Sequence, residues 1–196
     1  MSHPSGEDLG RTLDALDEVL EVLAEHGVDG VVIGAMALAV HHYPRQTEDL
    51  DLAVATEPRL LREIAATLET RGWEVAFREP DPQDPLGGVL DARAPGSELI
   101  QIINFFNPPA SGFPGLVAEA IEKAVPLVSG RSPKVVDLQT LIAFKLYAGG
   151  PKSRLDILEL IDRNPSLDIA ALRERCVALR LSDELERVLA LAELDI

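Results

Sequence analysis

The sequence from residue 45 reads Arg45-Gln46-Thr47-Glu48-Asp49-Leu50-Asp51-Leu52-Ala53-Val54. Two aspartates, separated by one leucine, lead from a polar segment into the apolar residues 52–54. The run of apolar residues from Leu50 to Val54 predicts a β-strand. Because side chains alternate across a strand, Asp49 and Asp51 are expected to point to the same face. Two carboxylates on one face can bind one hard divalent cation through oxygen.

A turn of small residues lies upstream of this pair. Residues 28–33 predict a strand, Gly34 a turn, and residues 35–42 a short helix. Asp49 follows Ala35 by fourteen residues. Small residues at such a turn let the backbone approach a phosphate closely.

The remaining sequence predicts a mixed fold with helices at its C-terminal end. Apolar spacing and turn residues predict helices at residues 6–26, 58–71, 115–124, 137–147, 153–163, 168–179 and 182–193. Strands are predicted at residues 73–77, 88–93 and 99–105, with a final strand within 125–136. The fold class is therefore α+β, a small mixed sheet flanked by helices. We expect an α/β core over residues 1–136 and a helical region over residues 137–196, packed together as one unit.

Composition limits the classes of partner. Hydrophobic residues make up 46% of the chain and charged residues 26%, which is typical of a globular protein. The net charge of −15 argues against strong non-specific nucleic-acid binding, since that affinity comes from Lys and Arg. A nucleotide carried with its metal, or a basic protein, fits the charge better.

Three further features bear on where the protein works. No apolar run approaches the roughly 18 residues of a membrane span, so no membrane association is expected. Cys176 is the single cysteine, which rules out an intrachain disulfide. The first residues have no signal-peptide pattern. We therefore expect a cytoplasmic protein.

The two motifs together resemble the minimal nucleotidyltransferase and AbiEii-type toxin group. Those proteins carry a Gly-Gly or Gly-Ser turn and an Arg-x-Thr-x-Asp-[Leu/Ile]-Asp stretch, which Arg45, Thr47, Asp49 and Asp51 match. A second signature of the group, a lysine-bearing helix followed by a Pro-Lys turn and an aspartate, is similar to Lys145, Pro151-Lys152 and Asp156. The resemblance covers roughly residues 10–165.

The resemblance implies a transfer of a nucleoside monophosphate from a nucleoside triphosphate to a hydroxyl or phosphate acceptor, which could belong to a protein or an RNA. It implies Mg²⁺ or Mn²⁺ held by Asp49 and Asp51, which are also the implied catalytic residues. The implied substrate-binding residues are Gly34, Ala35, Arg45, Thr47, Lys145 and Lys152. A cognate toxin or antitoxin is an implied protein partner.

The sequence also departs from the group's pattern. Ala35 stands where the second Gly or Ser is usual, and Gly150 and Ser153 replace the Arg and Asp of the second signature. Gln101 takes the place of the third carboxylate on a later strand. A neutral amide cannot act as a general base, although its oxygen can be a weak ligand. Asp91 on the neighbouring strand is a possible substitute, and a surface acid is the simpler interpretation.

These departures leave two functions open. One is a nucleotidyltransferase of reduced activity, and the other is a catalytically degenerate protein that binds nucleotide or regulates a partner, for example in a toxin–antitoxin pair. A purely structural helical adaptor is a third and weaker hypothesis.

Each basic or polar candidate also has a structural interpretation. Lys145 can reach into the cleft or extend to solvent, and Lys152 can be a solvated loop residue. Arg45 can pair with Glu48 or Asp49, and Thr47 can bond the local turn.

Three other features have plainer interpretations. Adjacent residues on a helix point in different directions, so His41 and His42 predict a helix-end role and not a metal site. We expect Cys176 to pack in the core and the acidic run 183–186 to be a solvated face.

Overall fold

The computed structural model describes residues 6–47, 49–81, 83, 86–107 and 114–192. The helices are α1 (Gly6–Glu25), α2 (Gly34–Val40), α3 (Pro58–Thr70), α4 (Pro114–Lys123), α5 (Leu138–Ala148), α6 (Gly150–Arg163), α7 (Ile169–Ala178) and α8 (Ser182–Ala192). The strands are β1 (Val31–Val32), β2 (Asp49–Val54), β3 (Glu74–Arg78), β4 (Val89–Arg93), β5 (Leu99–Asn104), β6 (Val125–Pro126) and β7 (Lys134–Val135).

The seven strands form one mixed sheet in the order β3-β4-β5-β2-β1-β7-β6. Strand β2 is central and pairs parallel with β5 and antiparallel with β1. Strands β4 and β5 form the antiparallel hairpin that the sequence predicts. The register places Asp51 opposite Gln101, and Gln101 opposite Asp91.

Alternation along the central strands gives the sheet two different faces. Leu50, Leu52, Ile100 and Ile102 are at most 2% exposed and form one face. That face belongs to the hydrophobic core, which also includes apolar residues of α1 and α3. Asp49 and Asp51 alternate with these residues, so they lie on the opposite face.

The mixed α/β fold of the prediction is confirmed, and three local predictions were wrong. The strand predicted over residues 28–33 is only Val31–Val32. The single final strand predicted within 125–136 is two short strands, β6 and β7, that pair with each other. Helix α6 begins at Gly150 because Pro151 suits a first helical turn, so Lys152 lies on that turn and not in a loop.

The C-terminal elements after β7 are all helices, as the sequence predicts. Helix α5 is capped by Asp137, whose side chain accepts a hydrogen bond from the Thr140 backbone N–H over 3.0 Å. Its residues 140–144 are all buried, so α5 packs on several sides at once. Over the described residues, none of the helices has both the length and the apolar character that crossing a bilayer requires.

Candidate functional site

The two aspartates lie on β2 beside the glycine turn. Asp49 and Asp51 are both partly exposed, and the residue between them is buried, so their side chains share one face as predicted. The Ile33 backbone N–H donates to the Asp51 carbonyl oxygen over 2.9 Å, which fixes the turn against β2. A Cβ added at Gly34 would lie 1.9 Å from Asp51 Oδ2. Only a glycine lets the carboxylate lie this close to the turn.

A cavity of about 500 Å³ opens beside Asp51. It lies between the sheet face that carries Asp51 and helix α5, because both contribute to its wall. Apart from Asp51 and Lys145, most of its wall is apolar or aromatic: Ile33, Gly34, Leu86, Ile103, Phe105, Leu141, Phe144, Tyr147 and Ala148. Such a wall can hold a flat ring or an apolar group next to the carboxylates.

Two cationic side chains of the predicted set meet at one buried carboxylate. Lys145 Nζ donates to Asp156 Oδ2 over 2.7 Å, and Arg45 Nη1 lies 3.8 Å from Asp156 Oδ1. Asp156 is 1% exposed, and the Lys145 side chain is 14% exposed. The ion pair therefore holds Lys145 at the cavity wall and does not let it extend to solvent.

The pKa of the Asp51 carboxyl depends on burial and on the charges around it. Burial raises the pKa of the Asp51 carboxyl above its ordinary value, and Asp49 raises it further. Lys145, Lys152 and Arg45 lower that pKa. Like-charge repulsion between the two aspartates is the situation that a bound cation relieves.

The other predicted residues have clear positions. Thr47 Oγ1 donates to Asp49 Oδ1 and accepts from the Asp49 backbone N–H, so Thr47 bonds the local turn. Ala35 is buried at the start of α2, and Lys152 is exposed on α6. Arg45 pairs with Asp156 rather than Asp49, and Glu48 lies outside the described residues.

At Gln101, where the resemblance would place a third carboxylate, the structure has a hydrogen-bonded amide. Gln101 Nε2 donates to Asp91 Oδ1 over 2.9 Å. Arg78 Nη2 donates to the same oxygen over 3.1 Å. Asp91 therefore has two partners on its own side of the sheet, and it is more than a solvated surface acid.

The donor set fits a hard divalent cation in part. Two carboxylates on one face supply the oxygen ligands that Mg²⁺ prefers. Over the described residues, no three or more His, Cys, Asp or Glu side chains form a group that could hold a metal ion. A cation at Asp49 and Asp51 would thus need further oxygen from a substrate, from water or from Gln101.

Two plainer predictions are confirmed. His41 is the C-terminal cap of α2, and its Nε2 lies 2.8 Å from the Val136 carbonyl oxygen. Cys176 is fully buried in the core. In the acidic run, Glu186 is exposed and pairs with Arg173, whereas Leu185 is buried.

Sequence reasoning missed Asn104, which is fully buried at the end of β5. Its Oδ1 accepts from the backbone N–H groups of Thr56 and Phe106, and its Nδ2 donates to the carbonyls of Thr56 and Gly87. These bonds fix Gly87, which follows Leu86, and Phe106, which follows Phe105, and both Leu86 and Phe105 line the cavity. The sign of this role in the sequence is a polar residue, Asn104, at the end of an apolar strand.

Comparison with solved structures decides the fold. The chain matches the solution structure of the antibiotic-resistance factor ANT(2'')-Ia with a TM-score of 0.52 and 19% identity, over 96% of this chain and 98% of that one. This chain has the nucleotidyltransferase fold. A nucleotidyltransferase-like protein from Paracoccidioides brasiliensis matches with a TM-score of 0.52 and 18% identity, over 93% and 94% of the two chains.

The crystal structure of ANT(2'')-Ia with adenylyl-2''-tobramycin gives the same TM-score at 18% identity, over 87% of this chain and 97% of that one. No protein-family model and no curated protein matches the chain. At these identities the likeness shows the fold, and the chemistry must be argued from the residues of this chain.

Proposed function

We propose that this nucleotidyltransferase-fold protein is a metal-dependent nucleotidyltransferase of the minimal or AbiEii-type group. It transfers a nucleoside monophosphate from a nucleoside triphosphate to an acceptor hydroxyl or phosphate on a protein, an RNA or a small molecule. The single observation that carries the proposal is the contact of Gly34 with the Asp51 carboxylate. That contact supports the proposal because it brings the turn that we expect to bind phosphate next to the two acids that we expect to bind the metal ion.

Each predicted residue has a role in this proposal. Asp49 and Asp51 would hold Mg²⁺ or Mn²⁺, and Thr47 orients Asp49 by donating a hydrogen bond from its hydroxyl. The backbone N–H groups of Gly34 and Ala35 contact the triphosphate. When bound at these two acids, such an ion would neutralise phosphate charge and would lower the pKa of the attacking hydroxyl.

The cations around Asp51 complete the site. Lys145 is held at the cavity wall by Asp156, where its positive charge faces the triphosphate. Arg45 is anchored by the same carboxylate. Lys152 on the first turn of α6 is exposed and acts electrostatically on Asp51, so it can reach a phosphate from solvent. The apolar cavity beside them binds the organic part of a substrate.

The proposal is tested by incubating the protein with α-labelled ATP, CTP, GTP and UTP, Mg²⁺ or Mn²⁺, and cell extract. We expect label transfer to an acceptor by the wild type and none by the Asp49→Asn/Asp51→Asn variant. Asp162→Asn, an exposed acid on α6, is the matched control and keeps the wild-type rate. Lack of transfer by the wild type, or equal transfer by the double variant, would contradict the enzyme proposal.

One observation favours a second function. Gln101 lies opposite Asp51 in register, which supports the interpretation that a neutral amide stands where the resemblance would place a third carboxylate. A protein with such a site can bind a nucleotide without transferring it, and regulate a toxin or antitoxin partner in the cytoplasm. Calorimetry measures whether the nucleotide binds with Mg²⁺, and the label assay measures whether it is transferred. Binding without transfer would support the regulatory function.

A further inference from the structure

Gln101 lies between two carboxylates on one face of the sheet. It is opposite Asp51 on β2 and opposite Asp91 on β4. Neighbouring strands are about 4.8 Å apart, and directly opposed residues point to the same side. Gln101 is therefore one strand away from Asp51, and Asp91 is two strands away.

The hydrogen bond to Asp91 decides which end of the Gln101 amide is left free. A carboxylate oxygen only accepts hydrogen bonds from an amide, so the NH₂ end must face Asp91. Nε2 does donate to Asp91 Oδ1, at 2.9 Å. Arg78, on the strand β3 that flanks β4 on the side away from β5, donates to that same oxygen. The carbonyl oxygen Oε1 is the end of the amide that takes no part in the bond to Asp91.

We propose that Gln101 Oε1 is a neutral third oxygen ligand of the cation held by Asp49 and Asp51. Asp91 is a positioning residue, because it acts only by fixing the orientation of the Gln101 amide. The proposal rests on the proposed function, since it concerns the same cation site. Asp91 lies two strands away from Asp51, and its Oδ1 accepts from Gln101 and Arg78, so the proposal assigns cation binding to Gln101 and not to Asp91.

This arrangement has a consequence for how the cation arrives. Two negative ligands hold a divalent ion more weakly than three do, since charge count tunes affinity at oxygen sites. The free protein is therefore a poor binder of the bare ion. The triphosphate supplies the missing negative oxygens, so the ion and the nucleotide bind together.

A charge-conserving exchange tests the proposal. The double variant Asp91→Asn/Gln101→Glu keeps the net charge and keeps one amide-to-carboxylate hydrogen bond between the two strands, with its direction reversed. It moves the negative charge next to Asp51. We expect it to bind Mn²⁺ without nucleotide at least about tenfold more tightly than the wild type, as measured by the free-Mn²⁺ paramagnetic resonance signal.

Gln101→Met is the complementary variant, because it keeps the side-chain length and removes the oxygen. We expect it to weaken Mn²⁺ binding about tenfold in the presence of nucleoside triphosphate. Asp162→Asn controls for a change in charge remote from the site. Thermal unfolding of each variant confirms that it is folded.

The outcomes separate this inference from the proposed function. In one outcome, nucleotide binding depends on Mn²⁺ and the Asp49→Asn/Asp51→Asn variant loses it, but both Gln101 variants keep the Mn²⁺ affinity of the wild type. That outcome overturns only the role of Gln101. A wild type that binds no Mn²⁺, with or without nucleotide, overturns the proposed function and this inference together. Tighter binding by the exchanged pair and weaker binding by Gln101→Met supports both.

Discussion

The Asp51 carboxylate occupies the space that a side chain at Gly34 would need. Asp51 Oδ2 would lie 1.9 Å from a Cβ at residue 34, and Gly34 itself has a φ of +68°. Two features therefore require glycine at residue 34. Its positive φ disfavours any residue with a side chain, and the Asp51 carboxylate leaves no room for a Cβ. The contact therefore links the start of α2 to the acid that we place at the cation.

The first prediction separates these two constraints by comparing Gly34→Ala with Gly27→Ala. Gly27 has the same φ of +68° and open space around it. Each variant should lose about 1 kcal/mol of unfolding free energy from the left-handed backbone. Only Gly34→Ala should also displace Asp51, which we expect to abolish nucleotide binding in calorimetry. Equal nucleotide affinity of the two variants would show that the contact does not matter to the site.

The second prediction follows from the pKa of Asp51, which burial and Asp49 raise in the folded protein. The folded state binds this proton more tightly than the unfolded chain does, so charged Asp51 destabilises the fold. That cost is fully present above the folded pKa and is relieved as pH falls toward the ordinary value of 3.8. Asp51→Asn should therefore raise the unfolding free energy at pH 7 by about 1 kcal/mol.

The measurement is urea unfolding between pH 4 and pH 8 in the presence of a chelator. The difference in unfolding free energy between Asp51→Asn and the wild type should shrink as the pH is lowered, because the wild-type carboxyl then becomes neutral too. Asp162→Asn should show no such gain. A stabilisation by Asp51→Asn that is the same at every pH would disprove the electrostatic origin.

The third prediction concerns Asp156, which is buried between two cations. Asp156→Asn leaves Lys145 and Arg45 without their counter-charge, which should cost about 3 kcal/mol of unfolding free energy. Adding Lys145→Met should recover part of that loss, since it removes one of the unpaired charges. Chemical denaturation of the two variants measures the loss of unfolding free energy. A loss for Asp156→Asn no larger than that for Asp162→Asn would contradict the stabilising role of the ion pairs.

The fourth prediction concerns Asn104. Asn104→Asp keeps the acceptor oxygen but removes the donor that bonds the carbonyls of Thr56 and Gly87. Leaving two buried carbonyls without a donor should cost about 2–4 kcal/mol. Because these bonds border the cavity, nucleotide affinity should fall as well. Full stability of Asn104→Asp in urea unfolding would show that the carbonyls find other partners.

The sequence predicts the main features of this fold because they rest on local patterns. Period-two alternation predicts that Asp49 and Asp51 share a face, and turn residues 94–97 predict the β4–β5 hairpin. The apolar run 99–105 predicts the strand that carries Gln101, and β5 pairs with β2 so that Gln101 lies opposite Asp51.

What the sequence could not predict depends on contacts between distant residues. Asp156 was visible in the second motif, but its pairing with Lys145 and Arg45 depends on how α5, α6 and the segment before β2 pack. The bond from Gln101 to Asp91 depends on strand register. Strands of two residues, such as β6 and β7, are too short for an alternation pattern to predict.

The central claim is that Asp49 and Asp51, beside the Gly34 turn, bind a cation together with a nucleoside triphosphate. The most direct measurement is a crystal structure with Mn²⁺ and a non-hydrolysable nucleoside triphosphate, with Mn²⁺ located by its anomalous signal. We predict one peak within about 2.5 Å of oxygens of both aspartates, with the phosphates at the Gly34–Ala35 turn. Phosphates and Mn²⁺ located elsewhere, or no anomalous peak at the two aspartates, would contradict the account.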